Sequence, residues 1–319
     1  MSDTQTKFAF TFPGQGSQSV GMGKELAEAF PTAKTVFQEI DDALSQNLSK
    51  LMWEGPMEDL TLTANTQPAL MACSIAAMRV LKADFGIDVS AATFVAGHSL
   101  GEYSALCAAG SLELAETARL LRLRGEAMQK AVGVGIGAMA ALLGASMEVA
   151  EAAVKAGSAI GICQIANDNA TGQVVLSGEK DAVEAAAEAA RELGVRKAVI
   201  LPVSAPFHCD LMSPAAEAMA DALSDIDMKA PIVPVVNNVN AVPITDPAQL
   251  KADLVTQVTG RVRWRESIEW MASEGIETFA EPGTGKVLTV MLKRIVKGVN
   301  GVALNSPEAM EAFAESFRN

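Results

Sequence analysis

The chain has 319 residues, half of them hydrophobic and 5% aromatic, and its 25 basic and 38 acidic residues give a formal net charge of −13. The apolar fraction excludes a disordered chain, and the acidic balance disfavours nucleic-acid binding, which needs clustered cations. No apolar run reaches the roughly 18–20 residues of a membrane span, and the polar start contains no secretory signal. Four scattered cysteines in a chain of this length indicate reduced, buried thiols, so we expect a cytoplasmic protein that binds neither membrane nor nucleic acid.

The first predicted element is a buried strand at residues 8–12, followed by the glycine-rich turn PGQGSQ at residues 13–18. Turns after the strands of an open parallel sheet line one crevice, so Gln15 could present its backbone N–H to an oxyanion there. The alternative is a dinucleotide-binding loop, but G-x-G-x-x-G needs glycine where Ser19 stands. The later stretch GTGKV at residues 283–287 also departs from the phosphate-binding P-loop pattern, so we expect no cofactor.

A helix at residues 67–82 and a second buried strand at residues 91–96 come next. Strands that alternate with helices predict the α/β class with a mostly parallel sheet. The second strand runs into Gly97-His98-Ser99-Leu100-Gly101, which fits the G-x-S-x-G nucleophile elbow. That sharp turn needs glycine two positions either side of the serine, because side chains there would collide with backbone, and it places the hydroxyl at a helix N-terminus. The alternative is a chance match in an ordinary turn.

A long helix is predicted at residues 112–130, with Ser111 as its N-cap. Arg124 falls on its apolar face, whereas Arg119 and Arg122 fall on the opposite, solvated face. A buried guanidinium needs a partner, because an unpaired buried charge costs several kcal/mol. The partner is either a buried carboxylate of the protein or the carboxylate of a ligand, held by the bidentate fork of arginine.

The middle of the chain predicts a smaller unit. Strands at residues 136–143, 160–166, 173–176 and 197–203 and helices at residues 147–156 and 180–193 give the order β-α-β-β-α-β, with a polar loop at residues 167–172. We therefore expect a ferredoxin-like small domain at residues 134–203, inserted in a large α/β domain formed by residues 1–133 and 204–319. The glycines of residues 133–137 mark its entry and could act as a hinge.

A serine nucleophile needs a general base, and the chain contains two histidines, His98 and His208. His98 adjoins Ser99 on a tight turn, where neighbouring side chains diverge, so His98 is given a structural role and His208 is taken as the base. The alternative is that His208 is an ordinary core histidine. No acidic residue between Ser99 and His208 is well placed, so a backbone carbonyl could orient the imidazole instead. Two histidines and four scattered cysteines supply a metal site poorly, so we expect no metal.

With these pieces in place, the chain resembles the acyltransferase family of fatty-acid and polyketide synthesis, in particular the malonyl-CoA:acyl-carrier-protein transacylases. The resemblance covers nearly the whole chain. The segments that carry it are FPGQGSQ (12–18), TQPA (66–69), GHSLGEY (97–103), RLRG (122–125), VSAPFH (203–208), PVVNN (234–238) and GKVL (285–288).

The resemblance implies transfer of a malonyl group from malonyl-CoA to the phosphopantetheine thiol of acyl carrier protein. It implies that Ser99 carries the malonyl ester, that His208 is the base and that the main-chain carbonyl of Gln257 orients the imidazole. Arg124 would bind the free malonyl carboxylate. The implied fold is a hydrolase-like α/β domain with a ferredoxin-like insert.

Further site residues follow from the same resemblance. The backbone N–H groups of Gln15 and Leu100 would form the oxyanion hole, and Asn167 and Asn169 would lie near the cleft. Phe207 stands where several relatives have serine, which leaves the fine preference for the acyl group open. Thr284 stands where proline is common, with no expected chemical consequence.

Coenzyme A and acyl carrier protein are both anionic, so a chain of charge −13 needs local basic clusters to guide them. Lys286, Lys293 and Arg294, with Lys297, form one cluster, which we expect to meet the carrier protein; the alternative is an ordinary solvated helix face. A second cluster is formed by Arg261, Arg263 and Arg265, which would share one face of an extended segment. We expect the enzyme to be a monomer.

Two other functions remain open from the sequence. A serine esterase or thioesterase would use the same elbow and histidine with water as the acceptor, but it would have no use for Arg124 on an apolar face. A non-catalytic acyl-binding protein would need neither the elbow serine nor its histidine.

Overall fold

The computed structural model describes residues 7–203 and 205–317, so the polar start and Ser204 of the VSAPFH segment lie outside the described residues. In chain order the strands are β1 (Phe8–Phe12), β2 (Phe94–Gly97), β3 (Gly137–Leu143), β4 (Cys163–Ala170), β5 (Gln173–Glu179), β6 (Lys197–Ile200), β7 (Val235–Val236), β8 (Pro243–Ile244), β9 (Thr278–Pro282) and β10 (Asn300–Leu304). The helices are α1 (Lys24–Ala29), α2 (Pro31–Leu44), α3 (Leu48–Glu54), α4 (Met57–Thr61), α5 (Thr63–Phe85), α6 (Gly101–Ala108), α7 (Leu114–Lys130), α8 (Met147–Gly157), α9 (Lys180–Glu192), α10 (Ser213–Ser224), α11 (Pro247–Thr259), α12 (Trp264–Ser273), α13 (Val287–Leu292) and α14 (Pro307–Ser316).

The larger sheet has the strand order β10-β9-β1-β2-β7-β8, and its neighbours are parallel except for the final pair β7–β8. This confirms the predicted α/β class with a mostly parallel sheet. β1 lies in the middle, and all five of its residues are buried, as expected for a strand covered on both faces. Because parallel strands end at the same edge, the turns after β1, β2 and β9 lie side by side at one rim of the sheet.

The second sheet is antiparallel throughout, with the order β4-β5-β3-β6. Helices α8 and α9 cover one face of it, and the alanines of α9 recur every three or four residues on the buried side. Small side chains let the two helices pack closely on the sheet, so this layer has an apolar cluster of its own.

The main core lies between the parallel sheet and the surrounding helices. Its central element is α5, which is buried over most of its length and packs against both α2 and α7. A helix that is apolar on all sides belongs in the interior of a domain, which is where α5 lies. Within the described ranges, every helix is too short or too polar to span a bilayer.

Several predicted boundaries were wrong. The second strand begins at Phe94, because the preceding residues form a short 3₁₀ turn, Val89–Ala91. Helix α7 begins at Leu114 with Glu113 as its N-cap, so Ser111 is not the cap. The largest difference is β4, which continues to Ala170, although residues 167–172 were predicted to be a loop.

The polar end of β4 stays extended because it joins the two layers. Asp168 N–H donates to Val262 C=O (2.9 Å), and Val262 N–H donates to Ala166 C=O (2.8 Å). The Asp168 carboxylate, which is 1% exposed, accepts three N–H···O bonds from the Arg265 guanidinium at 2.7–3.1 Å. A local hydropathy pattern cannot predict this strand, since the partners that satisfy its polar groups lie about a hundred residues away.

Candidate active site

A cavity of about 460 Å³ lies between the rim of the parallel sheet and the antiparallel layer. Its wall brings together eight of the residues that the sequence singled out: Gln15, Ser99, Leu100, Arg124, Asn167, Asn169, Phe207 and His208. Gln257 lies immediately behind this wall, whereas the three basic residues predicted to bind a partner lie outside it. Residues drawn from both layers therefore converge on one cleft.

The turn at Ser99 has the geometry of a nucleophile elbow. Ser99 has φ of +53°, a left-handed conformation that non-glycine residues seldom adopt. A Cβ on Gly97 would lie 1.9 Å from the backbone of Gly101, and a Cβ on Gly101 would lie 2.3 Å from Phe12 O. Only glycine fits at these two positions, as the sequence motif predicts. Leu100 caps α6, so its N–H belongs to the first turn of that helix, where donors lack an i−4 acceptor.

The serine hydroxyl meets the imidazole of His208. Ser99 Oγ lies 2.8 Å from His208 Nε2, and His208 Nδ1 lies 2.8 Å from the main-chain oxygen of Gln257. A carbonyl only accepts, so Nδ1 carries the proton and the neutral ring offers the lone pair of Nε2 to Ser99. The group that orients the imidazole is thus a backbone carbonyl, one of the possibilities that the sequence left open.

The protonation state of His208 suits a base. Its side chain is 4% exposed. Burial, and next the positive charge of Arg124, lower the pKa of His208 to about 3. The imidazole is therefore neutral at physiological pH and free to accept the serine proton.

Arg124 is a buried cation directed at the serine. It is 1% exposed; Nη1 donates to Gln67 Oε1 (2.8 Å), and Nη2 donates to Gln257 Oε1 (2.9 Å) and Ser99 Oγ (3.2 Å). All three acceptors are neutral, and within the described part of the chain no carboxylate lies within ion-pair distance of Arg124. Of the two partners considered from the sequence, the structure supplies no directly paired protein carboxylate, which leaves the guanidinium available to an anionic ligand.

The other histidine faces the antiparallel layer. His98 Nε2 lies 2.8 Å from Asn169 Oδ1, and its ring packs edge-on against Trp264. Neighbouring side chains of the elbow thus diverge: Ser99 points to His208, and His98 points to β4. Asn167 is buried beside the cavity and forms a parallel bridge with Val262.

Three buried polar residues of this region were not predicted as site residues. Asn238 brackets the elbow, accepting Ser99 N–H on Oδ1 (2.7 Å) and donating from Nδ2 to Gly97 C=O (2.7 Å). Gln67 holds Arg124, and Glu102 accepts from Gln257 Nε2 (3.0 Å). A signal was available for Gln67, a polar residue at the start of the helix predicted at residues 67–82, which as α5 is buried over most of its length.

The basic residues fall into two groups. Lys286, Lys293 and Arg294 are exposed around the short helix α13. Arg261, Arg263 and Arg265 do not share one face of an extended segment, because α12 begins at Trp264 and Arg265 lies within that helix. Each of these three arginines pairs with an acidic residue, so the second predicted cluster is largely neutralised.

The functional groups around Ser99 are suited to acyl transfer. A hydroxyl, a neutral imidazole and helix N–H groups are the components of nucleophilic catalysis at a carbonyl. Within residues 7–203 and 205–317, no three His, Cys, Asp or Glu side chains group in a way that could hold a metal ion, and the four cysteines are free.

Proteins similar in sequence and structure to this chain are also acyltransferases. The profile of the acyl transferase domain family matches residues 9–306. The malonyl CoA-acyl carrier protein transacylase of Bacillus subtilis (strain 168) is 45% identical over 317 residues, which cover 98% of each chain. The structure of an acyl-carrier-protein-S-malonyltransferase from Bartonella henselae matches with a TM-score of 0.96 and 54% identity, covering 98% of this chain and 100% of the other. A malonyl-transacylase solved in complex with its type II PKS acyl-carrier protein matches with a TM-score of 0.94 and 41% identity, over 98% and 100% of the two chains.

Proposed function

Because the chain belongs to the acyl transferase domain family, we propose that it transfers the malonyl group of malonyl-CoA to the phosphopantetheine thiol of acyl carrier protein, in fatty-acid biosynthesis. The observation that carries this choice of acyl group is Arg124. A buried guanidinium 3.2 Å from Ser99 Oγ, held by neutral acceptors, is a ready site for a carboxylate attached to the transferred acyl chain.

The proposed first half-reaction acylates the serine. His208 Nε2 takes the proton of Ser99 Oγ, which attacks the thioester carbonyl, while Gln257 C=O holds the imidazole in place. The negative charge on the tetrahedral oxygen would be met by the N–H groups of Gln15 and Leu100. The C–S bond then breaks, and the proton on the imidazole passes to the departing thiolate of coenzyme A.

The second half-reaction reverses the first. The pantetheine thiol of the carrier gives its proton to His208 and attacks the ester carbonyl, and the alkoxide of Ser99 leaves and is protonated. Arg124 holds the malonyl carboxylate throughout, Phe207 lines the acyl pocket, and Asn167 and Asn169 form the wall contributed by β4.

This scheme predicts an isolable malonyl ester. Incubation with labelled malonyl-CoA, followed by peptide mapping, should place a malonyl adduct on Ser99, and Ser99→Ala should carry none. Parallel incubations with labelled methylmalonyl-CoA and acetyl-CoA, whose own acyl groups would be transferred, show how selective this labelling is. Initial rates should follow ping-pong kinetics. A ternary-complex rate pattern, or malonyl-CoA turnover without an adduct on Ser99, contradicts the proposal. Fast release of free malonate without transfer to a thiol would favour a thioesterase instead.

We further propose that Lys286, Lys293 and Arg294 meet the acidic carrier protein. Gly285, just before this group, packs beside Ser17 of the Gln15 turn, so the start of α13 next to Lys286 lies close to the cleft. The exposed Val287 and Val290 add an apolar strip among them. A basic rim around an apolar strip suits an acidic partner.

Charge reversal tests this docking surface. Lys293→Glu combined with Arg294→Glu should raise the KM for carrier protein about 10-fold, through slower association, and more than it raises the KM for malonyl-CoA. The matched control is Lys24→Glu with Lys34→Glu, two reversals on α1 and α2, which should leave the carrier KM unchanged. An unchanged carrier KM in the first variant contradicts the docking surface while leaving the proposed chemistry standing.

The organisation of the chain is also a proposal. The large layer is taken as a hydrolase-like domain formed by residues 1–133 and 204–319, with a ferredoxin-like insert at residues 134–203. Its support is the element order β3, α8, β4, β5, α9, β6, together with the separate apolar cluster of that layer. We propose that the enzyme acts as a cytoplasmic monomer, and size-exclusion chromatography with light scattering would test the monomeric state.

A further inference from the structure

A buried carboxylate stands behind the elbow, and the proposed reaction gives it no role. Glu102, the second residue of α6, is fully buried. Its Oε2 accepts from Asn238 N–H (2.9 Å) and Gln257 Nε2 (3.0 Å), while Oε1 has no hydrogen-bond partner within the described residues. Burial raises the pKa of Glu102 to about 7. Burying a carboxyl group with one unpartnered oxygen destabilises the fold, which suggests that Glu102 has a role in the site.

Glu102 reaches the acyl site through a single amide. Gln257 Nε2 donates to Glu102 Oε2 and to Ser99 C=O (3.1 Å), and Gln257 Oε1 accepts from Arg124 Nη2 (2.9 Å). Turned by half a rotation, the amide would direct its NH₂ group at the guanidinium, donor against donor. The acceptors around Nε2 prevent that rotation, and Glu102 Oε2 makes the shortest contact among them (3.0 Å).

The orientation of this amide matters for Arg124. Its Nη2 is shared between Gln257 Oε1 and Ser99 Oγ, and its Nη1 is held by Gln67 Oε1. These oxygens keep the fork of the guanidinium aimed at the atom that would carry the acyl group. Loss of the Gln257 oxygen would remove one of the two amide oxygens that fix the buried cation.

We propose that Glu102 is a positioning residue: through the side-chain amide of Gln257 it aims Arg124 at the carboxylate of the acyl group. This inference rests on the proposed function. Arg124 would distinguish a carboxylated acyl group from a neutral one. A change at Glu102 that displaces the Arg124 guanidinium should therefore lower the preference for malonyl over acetyl groups, without a comparable loss in acetyl transfer.

Two conservative variants test the proposal. Glu102→Gln keeps an acceptor oxygen at the position of Oε2 and removes the charge, whereas Glu102→Asp keeps the charge and withdraws the oxygen by one methylene. The readout is the ratio of kcat/KM for malonyl-CoA to that for acetyl-CoA. We expect Glu102→Gln to retain the ratio within about 3-fold and Glu102→Asp to lower it about 10-fold, mainly through the KM for malonyl-CoA.

The control is Glu281→Asp, which shortens another buried carboxyl group. Glu281 accepts from Leu288 N–H and Thr289 N–H, away from Arg124, so the ratio should not change. Equal losses for malonyl and acetyl transfer in Glu102→Asp would mean a merely structural role and overturn the inference. So would a ratio lost in Glu102→Gln but kept in Glu102→Asp, which would mean that charge, not position, is what matters.

The same measurements separate the two proposals. If the wild-type enzyme transfers malonyl groups and both Glu102 variants keep its preference, the inference fails and the proposed function stands. If the wild-type enzyme transfers no malonyl group, both fail. A thermal melt of each variant shows whether it is folded at the assay temperature, and a folded Glu102→Asp enzyme with the wild-type ratio is sufficient to overturn the positioning role.

Discussion

Replacement of Arg124 by alanine should convert a malonyl-selective site into an unselective one. A charge-assisted hydrogen bond contributes about 1.5–3 kcal/mol, and a bidentate fork makes two of them with one carboxylate. A loss of about 3 kcal/mol corresponds to roughly 100-fold in kcat/KM for malonyl-CoA. Acetyl-CoA carries no carboxylate, so its transfer should be retained or should rise, because the variant no longer leaves a buried cation unpaired beside a neutral acyl group.

The assay compares malonyl-CoA and acetyl-CoA with the same carrier protein as acceptor. Arg119→Ala is the matched control, since Arg119 lies on the same helix α7 but is exposed. Arg124→Lys should fall between the wild-type enzyme and Arg124→Ala, because it keeps the charge and loses the fork. If Arg124→Ala reduces malonyl and acetyl transfer by the same factor, the arginine is structural and the reasoning is refuted.

Three further predictions concern the elbow and its histidine. Gly97→Ala should abolish labelling of the serine and lower the melting temperature, since its Cβ would lie 1.9 Å from the backbone of Gly101, and wild-type activity in that variant would contradict the steric argument. For His208, whose pKa is lowered to about 3, the base remains neutral and the rate of serine acylation should stay level from pH 8 to about pH 5. A fall centred near pH 6.5 that persists in Glu102→Gln, where the carboxyl group with a pKa of about 7 is removed, would contradict the burial argument. The lowered pKa of His208 means that the unfolded chain binds the proton more readily than the folded one. His208 therefore makes the fold less stable as the pH drops below about 6.5 towards 3, which acid unfolding curves of the wild-type protein and a His208→Gln variant should separate.

The sequence by itself determined the local features of this protein. Strand β1 and the alanine-rich helix α9 have patterns of burial that match their hydropathy, and both lie where the periodicity predicts them. The elbow at Ser99 was predictable because its chemistry is short-range: strand, glycine, serine, glycine and helix occupy adjacent positions. The choice of His208 followed from scarcity, since the chain has two histidines and one adjoins the serine.

The tertiary structure decided which polar groups are satisfied, and by what. Asn238 accepts the N–H of Ser99 from a position 139 residues away, and Gln257 lies 133 residues from the Arg124 that it holds. The residues at the end of β4 have the composition of a loop, and they form a strand because Arg265 and Val262 supply the partners that their buried polar groups need. Hydrophobic periodicity is a property of adjacent residues, so helices and strands that follow it can be predicted from the sequence. Hydrogen bonds between distant residues depend on how the chain folds back on itself, and no local pattern contains them.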